Sequence, residues 1–186
     1  FTLAVLPMLN SAGGMQMFNA EVTGITHDKV LPRISSTAKA LWGTYLALTI
    51  LEILCLWLGP MDIFESFCYT FSSISTGGFS CTYRSLGDIS SDYVYTVLII
   101  FMFLGGVNFT LIFKAATHSP KEIWKNEIFR IFIFTLLAFY IIMVIEVVRQ
   151  TPFSELTWQS LTIYPLFQVL ATITSTGLDS GKWIWW

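Results

Sequence analysis

Two short stretches of this chain are suited to present bare backbone oxygen to a cation. Residues 71–80 read FSSISTGGFS and residues 171–180 read ATITSTGLDS, so Ser-Thr-Gly stands at 75–77 and again at 175–177, one hundred residues on. A cation that sheds its water needs several oxygens at once, from groups that do not hold it too tightly to leave. Backbone carbonyls meet that need. Aiming them at one axis takes unusual backbone angles, which glycine tolerates because it has no Cβ. Gly77 and Gly177 are expected to make the bends, and the carbonyls of Ser75, Thr76, Ser175 and Thr176 to act as ligands. Gly78 and Leu178 complete the expected site, and Asp179 adds field strength at its mouth. A single Ser-Thr-Gly after a helix is compatible with an ordinary glycine cap. Two copies in the same setting favour a repeated pore loop.

The elements that must position these loops follow from composition and punctuation. Hydrophobic residues make up 54% of the 186 and charged residues only 12%, against about 25% charged in a typical soluble domain. Membrane is therefore the expected class. Three spans are predicted, at 37–59, 92–113 and 120–148, each long enough to cross roughly 30 Å of hydrocarbon as a helix. Residues 1–8 read as the tail of an earlier span. Segments 62–74 and 164–174 are too short to cross and suit re-entrant helices dipping partway into the bilayer. Asp62 with Glu65, and Ser119 with Pro120 and Glu122, are expected to cap helix starts. Pro165 sits near the start of its segment, where a missing N–H costs little.

Seven cationic side chains (Lys29, Arg33, Lys39, Lys114, Lys121, Lys125 and Arg130) fall on one side of these spans, and Arg84, Arg149 and Lys182 on the other. The positive-inside rule places the seven in the cytoplasm and both Ser-Thr-Gly turns outside. Aligning Ser75 with Ser175 sets Phe64 opposite Tyr164, Phe67 opposite Phe167 and Thr76 opposite Thr176. The repeating unit is span, short helix, turn, span. Residues 36–117 hold one whole unit, 118–186 a second without its closing span, and 1–35 the end of a preceding unit with its cytoplasmic connection. The chain has no initiator methionine and reads as an internal fragment of a longer polypeptide.

Other marked residues carry weaker signals. Glu52 and Glu146 lie within apolar spans, where an acid is a functional candidate by default. Glu146 could instead reach water near its span's outer end, and Glu52 could do the same or pair with a neighbouring helix. Gly105, Gly106 and Asn108 fall mid-span and read as close helix packing with an interhelical hydrogen bond, or as a pore-lining Asn108. Cys55, Cys68 and Cys81 form no metal-ligand pattern and read as small packing residues, and His27 and His118 lie in polar connections. Trp183, Trp185 and Trp186 read as an interfacial belt. GGMQ at 13–16 lacks the Lys-Ser/Thr of a phosphate loop. No catalytic motif falls within the spans, so an enzyme is not expected, nor is a cofactor or a nucleic-acid partner.

The series GGMQMFNAE (13–21), PRISSTAKALWGTYLALTILE (32–52), STGGFS (75–80) and FMFLGGVNF (101–109) resembles the Trk/Ktr/HKT superfamily, above all its TrkH/KtrB-type potassium uptake subunits, across essentially the whole chain. The resemblance implies an all-helical membrane protein with four such units arranged pseudo-fourfold around one pore. It implies potassium as the transported substrate, held at Thr76, Gly77, Thr176 and Gly177. It further implies a multi-pass protein in the lipid of the bacterial inner membrane, a homodimer, and a cytoplasmic nucleotide-binding regulatory subunit of the TrkA/KtrA type. Selectivity for potassium over sodium comes from the resemblance and not from the residues. A proton-coupled transporter of another solute, using Glu52 or Glu146, is the alternative.

Overall fold

The computed structural model describes residues 34–80, 86, 91–117, 123–124, 126–150 and 157–181. The motif at 13–21, both histidines, Cys81, Ser119 with its expected cap, and the three C-terminal tryptophans lie outside the described residues. The fold is all helical. In chain order the helices are α1 (Ile34–Trp57), α2 (Ile63–Ile74), α3 (Asp92–Gly106), α4 (Phe109–Thr117), α5 (Glu127–Gln150), α6 (Trp158–Leu161) and α7 (Ile163–Ile173).

Among the described residues, two helices are long and apolar enough to cross a membrane: α1 over Lys39–Trp57 and α5 over Glu127–Gln150. The 24 residues of α5 reach about 36 Å at 1.5 Å per residue. Ile131, Phe134, Ile141, Ile142 and Ile145 all stand exposed on it, Phe134 by 74%. Water would not tolerate such a continuous apolar surface, whereas lipid chains would solvate it. The helix starts where Asn126 caps it: Asn126 Oδ1 accepts the backbone N–H groups of Ile128 at 2.9 Å and Phe129 at 3.3 Å. An Asn followed by Glu127 in the first turn is a start signal that was legible but passed over.

The predicted span at 92–113 is instead broken. α3 ends at Gly106, and α4 begins at Phe109 after the non-helical pair Val107-Asn108. Asn108 accounts for the break, because its Oδ1 accepts the Thr110 N–H at 2.9 Å and caps α4. It therefore acts locally and, among the described residues, makes no interhelical hydrogen bond. The two short helices fall close to expectation, at Ile63–Ile74 and Ile163–Ile173. Asp62 does occupy the N-cap of α2 with extended backbone, but its side chain makes no capping bond. The expected Asp62–Glu65 box is thus absent. The Asp62 carbonyl instead accepts both the N–H and the hydroxyl of Ser66, each at 2.9 Å.

The described residues group into two compact units. One takes in the residues up to Ala47 and those of Val107–Arg130; within it Tyr45 meets Phe109 edge-on at 6.0 Å. The other takes in Leu48–Gly106 and the residues from Ile131 onward. Its centre is α3, which packs against both α2 and α7. Val94, Tyr95, Leu98 and Met102 are fully buried there.

Candidate functional site: paired turns at the ends of two short helices

Each short helix ends in a turn that spends its amides on the helix behind it. After α2, the N–H groups of Ser75, Thr76 and Gly77 donate to the carbonyls of Phe71 (3.3 Å), Ser73 (3.1 Å) and Ser72 (2.8 Å). Gly78 N–H adds a longer bond to Ser72 at 3.4 Å. After α7, Thr174, Ser175 and Gly177 donate to Leu170 (2.9 Å), Thr172 (3.1 Å) and Ala171 (3.0 Å). Among the described residues, nothing donates to the carbonyls of 75–78 or 174–177. Turns of this handedness can gather N–H groups around an anion. Here the N–H groups of 75–78, and those of Thr174, Ser175 and Gly177, are consumed, so that among the described residues the backbone atoms left over are mainly acceptors. The C-terminal ends of both helix dipoles point the same preference toward a cation.

The two turns share one backbone shape, offset by 99 residues and not by 100. Thr76 and Ser175 have φ of 54° and 53°, and Gly78 and Gly177 have φ of 68° and 71°. The hydrogen bonds obey the same shift, with Thr76 to Ser73 matching Ser175 to Thr172. This corrects the pairing of Gly77 with Gly177. Gly77 is not in the left-handed region, and the glycine that the first turn requires is Gly78. The reason lies in the extra glycine of the first copy: matching Ser-Thr-Gly by identity slides the register by one. The signal that gives the right register is a glycine followed by a large apolar residue, Gly78-Phe79 and Gly177-Leu178. Thr76 and Ser175 are non-glycine residues at positive φ, a strained conformation that concentrates at functional sites.

The turns lie side by side. A Cβ built on Gly78 would strike the Thr176 carbonyl oxygen and come within 3.1 Å of its carbon, with the Gly177 carbonyl carbon at 3.3 Å. A Cβ on Gly177 would meet nothing within 4 Å. Ser75, Gly77, Ser175 and Gly177 are exposed, Thr76 and Gly78 half-buried, and Thr176 and Leu178 buried. The Thr176 hydroxyl lies 2.8 Å from that of Thr174, which donates to Leu170 O at 2.8 Å. The Ser75 hydroxyl donates back to the Phe71 carbonyl. Asp179 is exposed and accepts the Gly181 N–H at 3.2 Å.

α3 holds both turns from behind. Gly105 would place a Cβ 3.4 Å from Ile74 O, at the end of α2, and Gly106 one 2.5 Å from Thr174 Cγ2, at the end of α7. The expected close packing is therefore present, and its partners are the ends of α2 and α7. Tyr95, which sequence reasoning missed, is buried at the other end of α3. Its hydroxyl lies 2.9 Å from Leu86 O and 3.0 Å from Ser180 O, so it reaches residues beyond both turns. Its ring meets Tyr164 and Phe167 of α7 edge-on at 5.4 and 5.3 Å. A tyrosine in an apolar span carries no distinctive pattern that marks such a role.

Of the two intramembrane acids, Glu146 is exposed and accepts the Gln150 side-chain amide at 2.5 Å. Glu52 is fully buried, and its Oε1 accepts the Ser73 hydroxyl at 2.5 Å. Of the two outcomes open to Glu52, water or a neighbouring helix, the structure places the second.

Comparison with known proteins agrees with this architecture. The family model for TrkH, described as a cation transport protein, matches residues 1–126. The Trk system potassium uptake protein TrkH of Vibrio parahaemolyticus is 34% identical over 188 residues, covering 99% of this chain and 38% of that protein. Its Escherichia coli namesake is 40% identical over 141 residues, covering 73% of this chain and 29% of that protein. The crystal structure of the potassium transporter TrkH from Vibrio parahaemolyticus superposes with a TM-score of 0.77 at 30% identity, over 96% of this chain and 36% of that one. The chain thus spans less than two-fifths of the length of these relatives. With two short helices, their paired glycine turns and membrane-length helices in one arrangement, this chain belongs to the TrkH family of cation transport proteins.

Proposed function

We propose that this chain forms part of a potassium uptake protein of the bacterial inner membrane, in which the two turns supply two quarters of a selectivity filter. The observation that carries this reading is the pair of adjacent turns whose amides, Thr176 aside, are bound and whose carbonyls accept no hydrogen bond among the described residues. Carbonyls of Ser75, Thr76, Gly77 and Gly78, and of Ser175, Thr176 and Gly177, replace water around the ion, with Leu178 packing behind the second turn. Potassium as the cargo rests on the names of the relatives. Flux requires no covalent step, so the reading is one of transport and not of enzymatic turnover. On the same reading residues 36–117 and 118–186 are consecutive repeat units in a longer, four-unit chain. The assembled protein is a homodimer gated by a TrkA/KtrA-type nucleotide-binding subunit.

Gly177→Ser in the full-length protein is the test. Its side chain enters open space but must adopt φ of 71°, at a cost of about 1–2 kcal/mol. Potassium discrimination over sodium should fall roughly tenfold, since about 1.4 kcal/mol is a factor of ten. Tracer uptake into cells lacking their own potassium uptake systems measures it. Unchanged rate and selectivity would remove the filter assignment.

A further inference from the structure

We propose that Glu52 is a positioning residue of the filter, acting through Ser73 on the turn that follows α2; this rests on the transport reading above. Glu52 sits on α1 with no exposed surface, and so does Ser73 on α2. The Ser73 hydroxyl has two acceptors in reach, Glu52 Oε1 at 2.5 Å and Thr70 O at 3.1 Å. The shorter contact and the carboxyl acceptor make Glu52 the partner it serves first. α2 turns one polar stripe inward along this side: Ser66, Thr70 and Ser73, spaced as one helical face, are all fully buried.

Ser73 is also the residue whose carbonyl receives the Thr76 N–H, and its neighbour Ser72 receives those of Gly77 and Gly78. The last turn of α2 is thus the platform on which the filter amides rest, and Glu52 is its side-chain tether to a membrane-length helix. On its other side the platform lies against α3, where Gly105 meets Ile74. The tether is a hydrogen bond accepted by one oxygen, and a glutamine can accept it in the same place. This separates a positioning role from a proton relay, in which glutamine fails.

The test uses Glu52→Leu, Glu52→Gln and Ser73→Ala in the full-length protein, matched for amount in the membrane, with potassium and sodium tracer uptake as the readout. Glu52→Leu and Ser73→Ala should each raise the sodium-to-potassium uptake ratio about tenfold. Glu52→Gln should stay within about twofold of the parent, as expected when the acceptor is kept. If Glu52→Leu fails to accumulate, Ser73→Ala decides, because it removes only one oxygen. Unchanged selectivity in Ser73→Ala overturns the proposal. So does a Glu52→Gln variant as impaired as Glu52→Leu, which assigns the acid to charge or proton movement. A parent protein that takes up no potassium overturns the transport reading instead, and leaves a different signature from either result.

Discussion

On the proposed filter reading, Gly78→Ala in the full-length protein should nearly abolish selective potassium uptake, while Gly77→Ala, one residue away, should leave most of it. At Gly78 two costs combine. An L-residue at φ of 68° is strained, by about 1 kcal/mol. Its methyl group would also collide with the Thr176 carbonyl oxygen, and lie 3.1 Å from the carbon of that carbonyl. Backbone cannot swing aside as a side chain can, so relief comes only by pushing the second turn away, at about 2 kcal/mol for overpacking of this kind. The sum corresponds to a loss of roughly 100-fold. At Gly77 the nearest atoms are the Ser75 hydroxyl at 3.2 Å and the Phe79 ring at 3.4 Å, both able to rotate. A loss within about threefold follows there, in line with the small effect of surface substitutions. Rubidium tracer uptake at matched expression measures both. Equal sensitivity at 77 and 78, or greater sensitivity at 77, would refute the 99-residue register.

Tyr95→Leu should destabilise the protein, and Tyr95→Phe should impair selectivity with little loss of stability. The leucine variant removes two edge-on ring contacts, to Tyr164 and Phe167, each worth about 0.5–1.5 kcal/mol. It also leaves a cavity in a fully buried site, so a total of about 2–4 kcal/mol is expected. The phenylalanine variant keeps the rings and withdraws only the hydroxyl shared by Leu86 O and Ser180 O. That costs about 1 kcal/mol, but it frees the segments beyond both turns together. Thermal unfolding of the detergent-purified full-length protein reports the first effect, and the sodium-to-potassium uptake ratio reports the second. A Tyr95→Phe protein of parental selectivity would confine Tyr95 to packing.

The legible parts of this molecule were those written in length and polarity. Helices α1 and α5 announce themselves as apolar runs, and α2 and α7 as runs too short to cross. Their terminal glycines suggested a shared site, and the two turns do meet. What stayed hidden depends on single atoms. The break between α3 and α4 is made by one amide oxygen of Asn108 within an otherwise unbroken apolar run. The register of the turns slipped because Ser-Thr-Gly matches by identity at a spacing of 100, whereas the backbone repeats at 99. Residue identity does not report φ, and two adjacent glycines leave the choice open. Glu52 could be read as solvated or as paired because hydropathy does not say which way a helix faces.

One helix, α3, abuts the ends of both short helices through Gly105 and Gly106. On the proposed filter reading, neighbouring quarters of the ion path stand on a common strut, and neither can dilate without loading the other. Discrimination between ions of slightly different radius then depends less on the softness of any single loop than on the stiffness of a joined pair. Changes made in the two turns should compound in ways that their separate effects do not foretell.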